Sequence, residues 1–429
     1  MREKWSSSTG FILASIGSAV GIGNIWRFPY IVGENGGGAF LIPYIIAVFL
    51  FGMPLMMLEF AMGRHFQSSV VPAFSRIRKR FRVAGFFIVL GMGMILSYYL
   101  VITGWVLAYS LFFISGISVP FAAFTASYYP LLFFLISGGI TFFVVMAGVR
   151  QGIERLAKLL IPLLFGMLLL LLAYSISLPG AVQGLEYYLT PDFERLADPL
   201  VWTAAFGQAF FSLSVGFGIL LTYGSYMRDE KIAKSAGIIT VSDLLVAILA
   251  GVMIFPLVFS FGLDPAAGVQ LALVALPLIF QEIPLGIFLG AVFFLLLFFA
   301  ALTSAVSMLE VPVATLIDYY GFERKKAAAL ASLLIILAGL PSALSYTALK
   351  LQLFGTPLLD LNDFAFGTIG LIVAGLILSI TAGWFLDHRI IFKEIGGSSK
   401  MQKLFIRIIK FFIPVILFIN LLVRLITPG

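Results

Sequence analysis

Gly17-Ser18-Ala19-Val20-Gly21-Ile22-Gly23-Asn24 lies in the middle of one long apolar run, and Ser212-Leu213-Ser214-Val215-Gly216-Phe217-Gly218 lies in the middle of another, with Gly21 and Gly216 195 positions apart. Glycine inside a helix costs about 1 kcal/mol relative to Ala and opens backbone conformations that break the helix. One such cluster alone reads as close packing, because small residues are common where membrane helices touch. Here each cluster opens a block of five apolar runs, which is the pattern of two inverted repeats whose first helices are interrupted. Unwound backbone at membrane depth must find partners in protein, water or ligand. The two breaks therefore predict a central binding site. Half-helix N-termini offer N–H groups and positive partial charge to a carboxylate, while freed carbonyls suit a hard cation.

The rest of the chain agrees with this reading. Of 429 residues, 61% are apolar and 11% charged, with a mean hydropathy of +1.10, whereas soluble domains carry roughly 25% charge. At about 20 apolar residues per crossing of a core about 30 Å thick, this length holds roughly ten to twelve spans. Uninterrupted runs exclude a β-barrel, whose strands alternate over about ten residues. The runs predict an all-α polytopic membrane protein with eleven transmembrane helices, at 10–31, 39–63, 84–115, 128–149, 156–178, 198–226, 236–262, 284–319, 327–346, 363–386 and 404–426. Residues 1–178 form the first inverted repeat (helices one to five), 179–197 an outer loop, 198–387 the second repeat (helices six to ten) and 388–429 an inner loop with helix eleven. The absence of Cys rules out disulfides, thiolate catalysis and Cys-ligated metals.

With the N-terminus cytoplasmic, 23 of the 27 Lys and Arg fall on the inner side; the others are Arg27, Arg195, Lys350 and Arg424. Segment 179–198 carries Glu186, Asp192, Glu194 and Asp198 against Arg195 alone. This is the positive-inside signature. It predicts a multi-pass plasma-membrane protein with a cytoplasmic N-terminus and an extracytoplasmic C-terminus. The basic balance, including the patch from Arg76 to Arg82, reports topology and implies lipid bilayer rather than nucleic acid. Arg2 and Lys4 ahead of Phe11–Ile25 do not make a signal peptide, because no small-residue cleavage pattern follows. Three carboxylates, Glu59, Asp243 and Glu310, remain within the spans, where a charge costs roughly 2.5–3.5 kcal/mol and marks function by default. His65 and His388 fall in or beside inner loops, and no HExxH or Ser/His/Asp set lies at membrane depth, so an intramembrane hydrolase is not expected.

The blocks Gly17 to Tyr30 (GSAVGIGNIWRFPY), Glu34 to Phe40 (ENGGGAF) and Glu59 to Arg64 (EFAMGR), continued by Gly207 to Ser214 (GQAFFSLS) and Ala300 to Ser304 (AALTS), resemble the signatures of the neurotransmitter:sodium symporter family along essentially the whole chain. The resemblance includes prokaryotic amino-acid transporters with eleven helices. It implies sodium-coupled uptake by alternating access, with no organic cofactor and two sodium ions. One ion would sit between the carbonyls of Gly17, Val20 and Ala300 and the hydroxyls of Thr303 and Ser304. The other would use the Ala19 carbonyl, the Asn24 amide, Ser212 and the substrate's carboxylate. Many relatives have Asn as the helix-seven ligand; here gap-free matching from Gly251 places Asp243 there, or Ser242 if the register slips by one. Animal members often need chloride near this ion, and a fixed Asp243 carboxylate would replace it, so transport without chloride is expected.

Amine-transporting relatives carry Asp in the helix-one break where this chain has Gly21. A substrate bringing its own negative charge, an α-amino acid, is expected instead. By the resemblance, Tyr99 and the N–H groups of Ile22 and Gly23 would hold its carboxylate, and carbonyls of Ala19, Phe211 and Ser214 its ammonium. Ile95, Ile102, Phe211, Phe217, Ser307 and Met308 would line a mostly apolar side-chain pocket, fitting a neutral apolar guest. Arg27 and Asp363 would pair as the outer gate above Phe217 and Tyr99. Arg2 with Asp318, aided by Trp5, Ser225 and Tyr226, would form the inner gate, although either Arg also reads as a snorkelling surface charge. Glu59 would brace the helix-one break, and Glu310 would face the inner pathway. Proton coupling through Asp243, and a transport-silent accessory or sensor role, are the alternatives.

Overall fold

The computed structural model describes residues 3–266 and 271–426. Among the described residues, nine helices are long and apolar enough to cross a membrane: Gly37–Phe66, Lys79–Ile114, Tyr129–Met146, Val149–Ser175, Ile232–Ser260, Gly286–Tyr320, Arg324–Ala343, Leu358–Phe385 and Ser399–Ile426. These are helices two to five and seven to eleven. A tenth crossing, helix one, is Ser8–Ala19 and Gly23–Glu34, bent by 49° at the break. Helix six is divided more severely, into Pro199–Ser212 and Ile219–Gly224. Neither half spans a bilayer by itself, so the expected count of eleven stands at ten, with helix six as the split remainder.

Helix three packs along helix eight, and helix eight touches Ser8–Ala19 of helix one and Ile219–Gly224 of helix six. The apolar core is continuous around this centre. On the outside, Leu132, Phe143, Leu159, Leu169 and Phe418 stay exposed. An apolar belt of that extent is what a helix bundle presents to lipid rather than to water.

The connections hold structure that hydropathy did not reveal. Segment 179–197 contains the helix Ala181–Leu189, and the connections after helices two and ten contain Val70–Ile77 and His388–Ile395. Each is too short and too amphipathic to register as a span. Ala181–Leu189 is pinned by two tyrosines: Tyr188 donates its hydroxyl to the Ile248 carbonyl at 3.1 Å, and Tyr187 donates to Gly33 at 3.0 Å. It thus staples the outer half of helix one to helix seven.

Close approach of helix two to the lower half of helix six depends on glycine. A β-carbon on Gly63 would lie 2.0 Å from the Leu221 carbonyl oxygen, and one on Gly224 would lie 2.8 Å from Phe60 Cα. Overpacking typically costs about 1–3 kcal/mol. Gly63→Val is therefore expected to lower the thermal midpoint of the purified protein in size-exclusion melts, while Gly139→Val, where a β-carbon meets nothing within 4 Å, leaves it in place.

Candidate functional site

Helix one stops at Ala19, with Val20 in extended backbone, and resumes as a wide π-helical turn over Gly23–Arg27. In helix six, Ser214, Gly216 and Gly218 take φ of 54°, 99° and 77°. Three left-handed residues within five cannot continue a helix. Ser214 tolerates its conformation while its hydroxyl donates to the Ser18 carbonyl at 2.8 Å, joining one break to the other.

The two breaks have different supports, and Glu59 serves the other one from that expected. Glu59 braces helix six, not helix one: its carboxylate accepts from the Gly216 N–H at 2.5 Å and the Leu221 N–H at 3.2 Å. Helix one is held by Gln208, whose Nε2 donates to the Gly23 carbonyl at 2.9 Å. The chemistry explains the difference. An ionised carboxylate only accepts, so it suits the N–H groups at the start of a half-helix, whereas a freed carbonyl needs the amide's donor.

Asn24, Ser212 and Asp243 converge beside these breaks, all buried. Asn24 Nδ2 donates to Asp243 Oδ1 at 2.7 Å and to Ser212 Oγ at 2.9 Å, and Asn24 Oδ1 accepts from the Gly21 N–H at 3.1 Å. Ser212 Oγ lies 3.0 Å from both Asp243 carboxylate oxygens. The side chain of helix seven in this cluster is thus Asp243, not Ser242. A second cluster is made of neutral oxygens. Thr303 donates to the Ala300 carbonyl at 3.1 Å, and Ser304 Oγ lies 3.4 Å from the Gly17 carbonyl oxygen and 3.2 Å from that of Ser18. Val20 is fully buried alongside.

Between the clusters is a cavity of about 50 Å³, room for a few waters. Ala19, Gly21, Gly23, Ile95, Tyr99, Phe211, Ser212, Ser214, Phe217, Ser304 and Met308 line it, as do Met92, Val215 and Leu371, which sequence reasoning missed. Ile102 and Ser307 do not line it. Ser307 instead donates to the Ser304 carbonyl at 2.7 Å, with its Oγ 3.0 Å from that of Ser18, behind the cavity wall. The Tyr99 hydroxyl neighbours Ser304 and the Ile22 N–H. A β-carbon on Gly21 would lie 2.7 Å from Ser304 Oγ and 3.3 Å from Tyr99 Oη, so any side chain here would have to displace the Ser304 hydroxyl.

The two faces of the molecule differ. On the face expected to be the outer one, Arg27 and Asp363 form no ion pair within 4.0 Å, contrary to the expected pairing. Arg27 lies over the Phe211 ring, 4.4 Å from its centroid, and Asp363 neighbours Tyr98. A weakly hydrated, planar guanidinium stacks well on an aromatic face, which holds it apart from the carboxylate. On the opposite face, Trp5 is fully buried, its indole donating to the Tyr223 carbonyl at 3.1 Å and its backbone N–H to the Tyr226 carbonyl at 3.2 Å. Ser225 donates to Thr222 at 2.5 Å, and Asp318 accepts from the Ser69 N–H at 2.6 Å. Arg2 lies outside the described residues. Glu310 does not look into an open pathway: it pairs with Arg324 at 2.6 Å and accepts from the Tyr226 hydroxyl at 2.6 Å, and Arg324 also pairs with Glu3 at 3.1 Å. The signal for that network was Glu310, a carboxylate within the span of helix eight, followed by the basic start of helix nine at Arg324, Lys325 and Lys326.

Glu59→Ala would leave two buried N–H groups unpaired, at about 1–3 kcal/mol each. It is expected to abolish recovery of monodisperse protein, whereas Glu59→Gln, which keeps one accepting oxygen, gives folded protein with a lowered melting temperature. Equal yields and melting curves for both variants would count against this role.

Comparison with known proteins agrees with this geometry. The model of the sodium:neurotransmitter symporter family matches residues 2–131 and 129–428. The chain is 35% identical to the uncharacterised sodium-dependent transporter YhdH of Bacillus subtilis, covering 98% of this chain and 97% of that one. It is 30% identical to the human sodium- and chloride-dependent taurine transporter over 76% of this chain and 62% of that protein. The crystal structure of MhsT in complex with L-phenylalanine superposes with a TM-score of 0.90 at 42% identity, covering 98% of this chain and 99% of MhsT. A broken-helix bundle with this sequence is no enzyme but a sodium-dependent membrane transporter, and the chain belongs to the sodium:neurotransmitter symporter family.

Proposed function

We propose that the protein takes up a neutral, apolar α-amino acid together with two sodium ions, by alternating access and without chloride. The observation that carries this reading is the meeting of both helix breaks at one small cavity with Asn24, Ser212 and Asp243 beside it. One sodium is assigned to the Ala19 carbonyl, Asn24, Ser212, Asp243 and the substrate carboxylate. The other is assigned to the carbonyls of Gly17, Val20 and Ala300 with Thr303 and Ser304, where neutral oxygens from two helices replace a hydration shell.

Substrate class follows from charge and space. Gly21 leaves no anionic side chain to pair with an amine, so the negative charge beside the first ion is the substrate's own. Its carboxylate meets Tyr99 and the N–H groups of Ile22 and Gly23; its ammonium meets carbonyls of Ala19, Phe211 and Ser214. Ile95, Phe211, Phe217 and Met308 present an apolar wall, which Met92 and Leu371 extend. The similarity to a protein that holds L-phenylalanine supports an apolar guest. Phe217 and the methionines are the groups that move to admit it, since unbranched Met side chains repack readily.

With the inner face sealed and Arg27 and Asp363 apart, the arrangement corresponds to the outward-facing end of the cycle. The N-terminus is assigned to the cytoplasm from the distribution of Lys and Arg. Two sodium ions entering with one zwitterion at about 100 mV supply roughly 4.6 kcal/mol, about 2.3 per charge, enough for roughly thousandfold accumulation.

Thermal stabilisation of the purified protein by the twenty amino acids, with and without sodium, is expected to single out apolar ones and to require sodium. Stabilisation by a monoamine instead would overturn the substrate class. In proteoliposomes, uptake is expected to survive replacement of chloride by gluconate and to fall at least tenfold in Asp243→Asn. Separate sodium and pH gradients decide the coupling ion, and uptake driven by the pH gradient alone would replace sodium with protons.

A further inference from the structure

A groove of about 660 Å³ lies between helix two and helix eleven, far from the central cavity, lined by Leu50, Leu404, Arg407, Ile408, Phe411 and Val415 among others. Both walls widen there: helix two makes a π-helical turn over Val48–Gly52 and helix eleven another over Ile408–Phe412. Such turns are frequent at functional sites. From Leu404 to Val415 the wall runs eleven residues, which at about 1.5 Å per residue is about 16 Å. That is about half of a hydrocarbon core about 30 Å thick, the depth of one leaflet.

The groove's ends differ in charge. Leu50 and Val415 close it near mid-bilayer, and Arg407 stands at the basic face with Lys403 one turn before it. Among the described residues neither cation has an ion-pair partner within 4.0 Å. Lys410 is already engaged, its ammonium 4.2 Å from the Trp384 ring centroid. Residues 399–412 contain no carboxylate. We propose that this groove is a binding site for an anionic phospholipid of the leaflet on the basic face, its acyl chain along Leu404, Phe411 and Val415 and its phosphate between Arg407 and Lys403. A zwitterionic lipid fills the same apolar length but carries a cation to the two basic side chains. The groove thus selects headgroup charge.

The test uses full-length protein in phosphatidylcholine nanodiscs with or without phosphatidylglycerol, followed by native mass spectrometry of the released protein. Wild type is expected to retain phosphatidylglycerol and not phosphatidylcholine. Arg407→Ala with Lys403→Ala should weaken retention roughly thirtyfold, the effect of two surface charges on an anionic headgroup. Val415→Trp, which fills the groove without touching charge, should remove it. Lys325→Ala with Lys326→Ala, an equal charge loss at exposed positions of helix nine, should not. All five substituted residues are lipid- or solvent-facing, and monodispersity in size exclusion checks the fold. Equal weakening by the Lys325 and Lys326 pair, retention by Val415→Trp, equal binding of phosphatidylcholine, or dimers that Val415→Trp disperses would each overturn the proposal. None of these outcomes depends on which amino acid is carried.

Discussion

Backbone polar groups have no partner in lipid, and each one left bare is expensive. Breaking two helices at membrane depth therefore obliges the surrounding structure to supply acceptors for freed N–H groups and donors for freed carbonyls. Glu59 answers the first need at Gly216 and Leu221, and Gln208 answers the second at Gly23. Ser214 ties the two unwound stretches to each other through Ser18. The close approach of Gly63 and Gly224 brings helix two near enough for Glu59 to reach.

The two polar clusters differ in charge. Asp243 is held by Asn24 and Ser212, with no basic side chain against it among the described residues. A buried carboxylate without a cation is poorly compensated, and that imbalance is what supports the proposal of a sodium ion there. The Thr303 and Ser304 cluster carries no formal charge, so the ion proposed for it would be held by carbonyl and hydroxyl dipoles alone.

How far the sequence could be read depended on whether a feature leaves a local mark. Interrupted helices one and six were legible because glycine pairs in an apolar run have few other reasons to exist. Asp243 was legible as an intramembrane charge, and the register ambiguity with Ser242 closed once Asn24 and Ser212 were found against it. The partner of Glu59 was not legible, because helix two can approach either break and hydropathy does not say which one it meets. The resemblance put Ser307 in the pocket lining, yet its hydroxyl turns to Ser304 and Ser18. Arg27 and Asp363 have the right chemistry to pair, but whether they do depends on conformation, and an aromatic ring competes for the guanidinium. Short amphipathic helices such as Ala181–Leu189 escape any search tuned to bilayer-length runs.

The N-terminal strap joins more of the bundle than its length implies. Glu3 accepts from the Val149 N–H at 2.5 Å and pairs with Arg324; Ser6 donates to Glu154; Trp5 fills the space between Tyr223 and Tyr226. The four residues 3–6 thus connect helices five, six and nine at one face, and helix eight joins them through the Arg324–Glu310 pair. Because these contacts share groups, loosening one removes the counter-charge or cover of the next, and they release together rather than in succession. A closure of this kind has few half-open states. Ions reaching the centre without substrate then find no partial exit, which limits slippage, the dissipation of a sodium gradient without uptake.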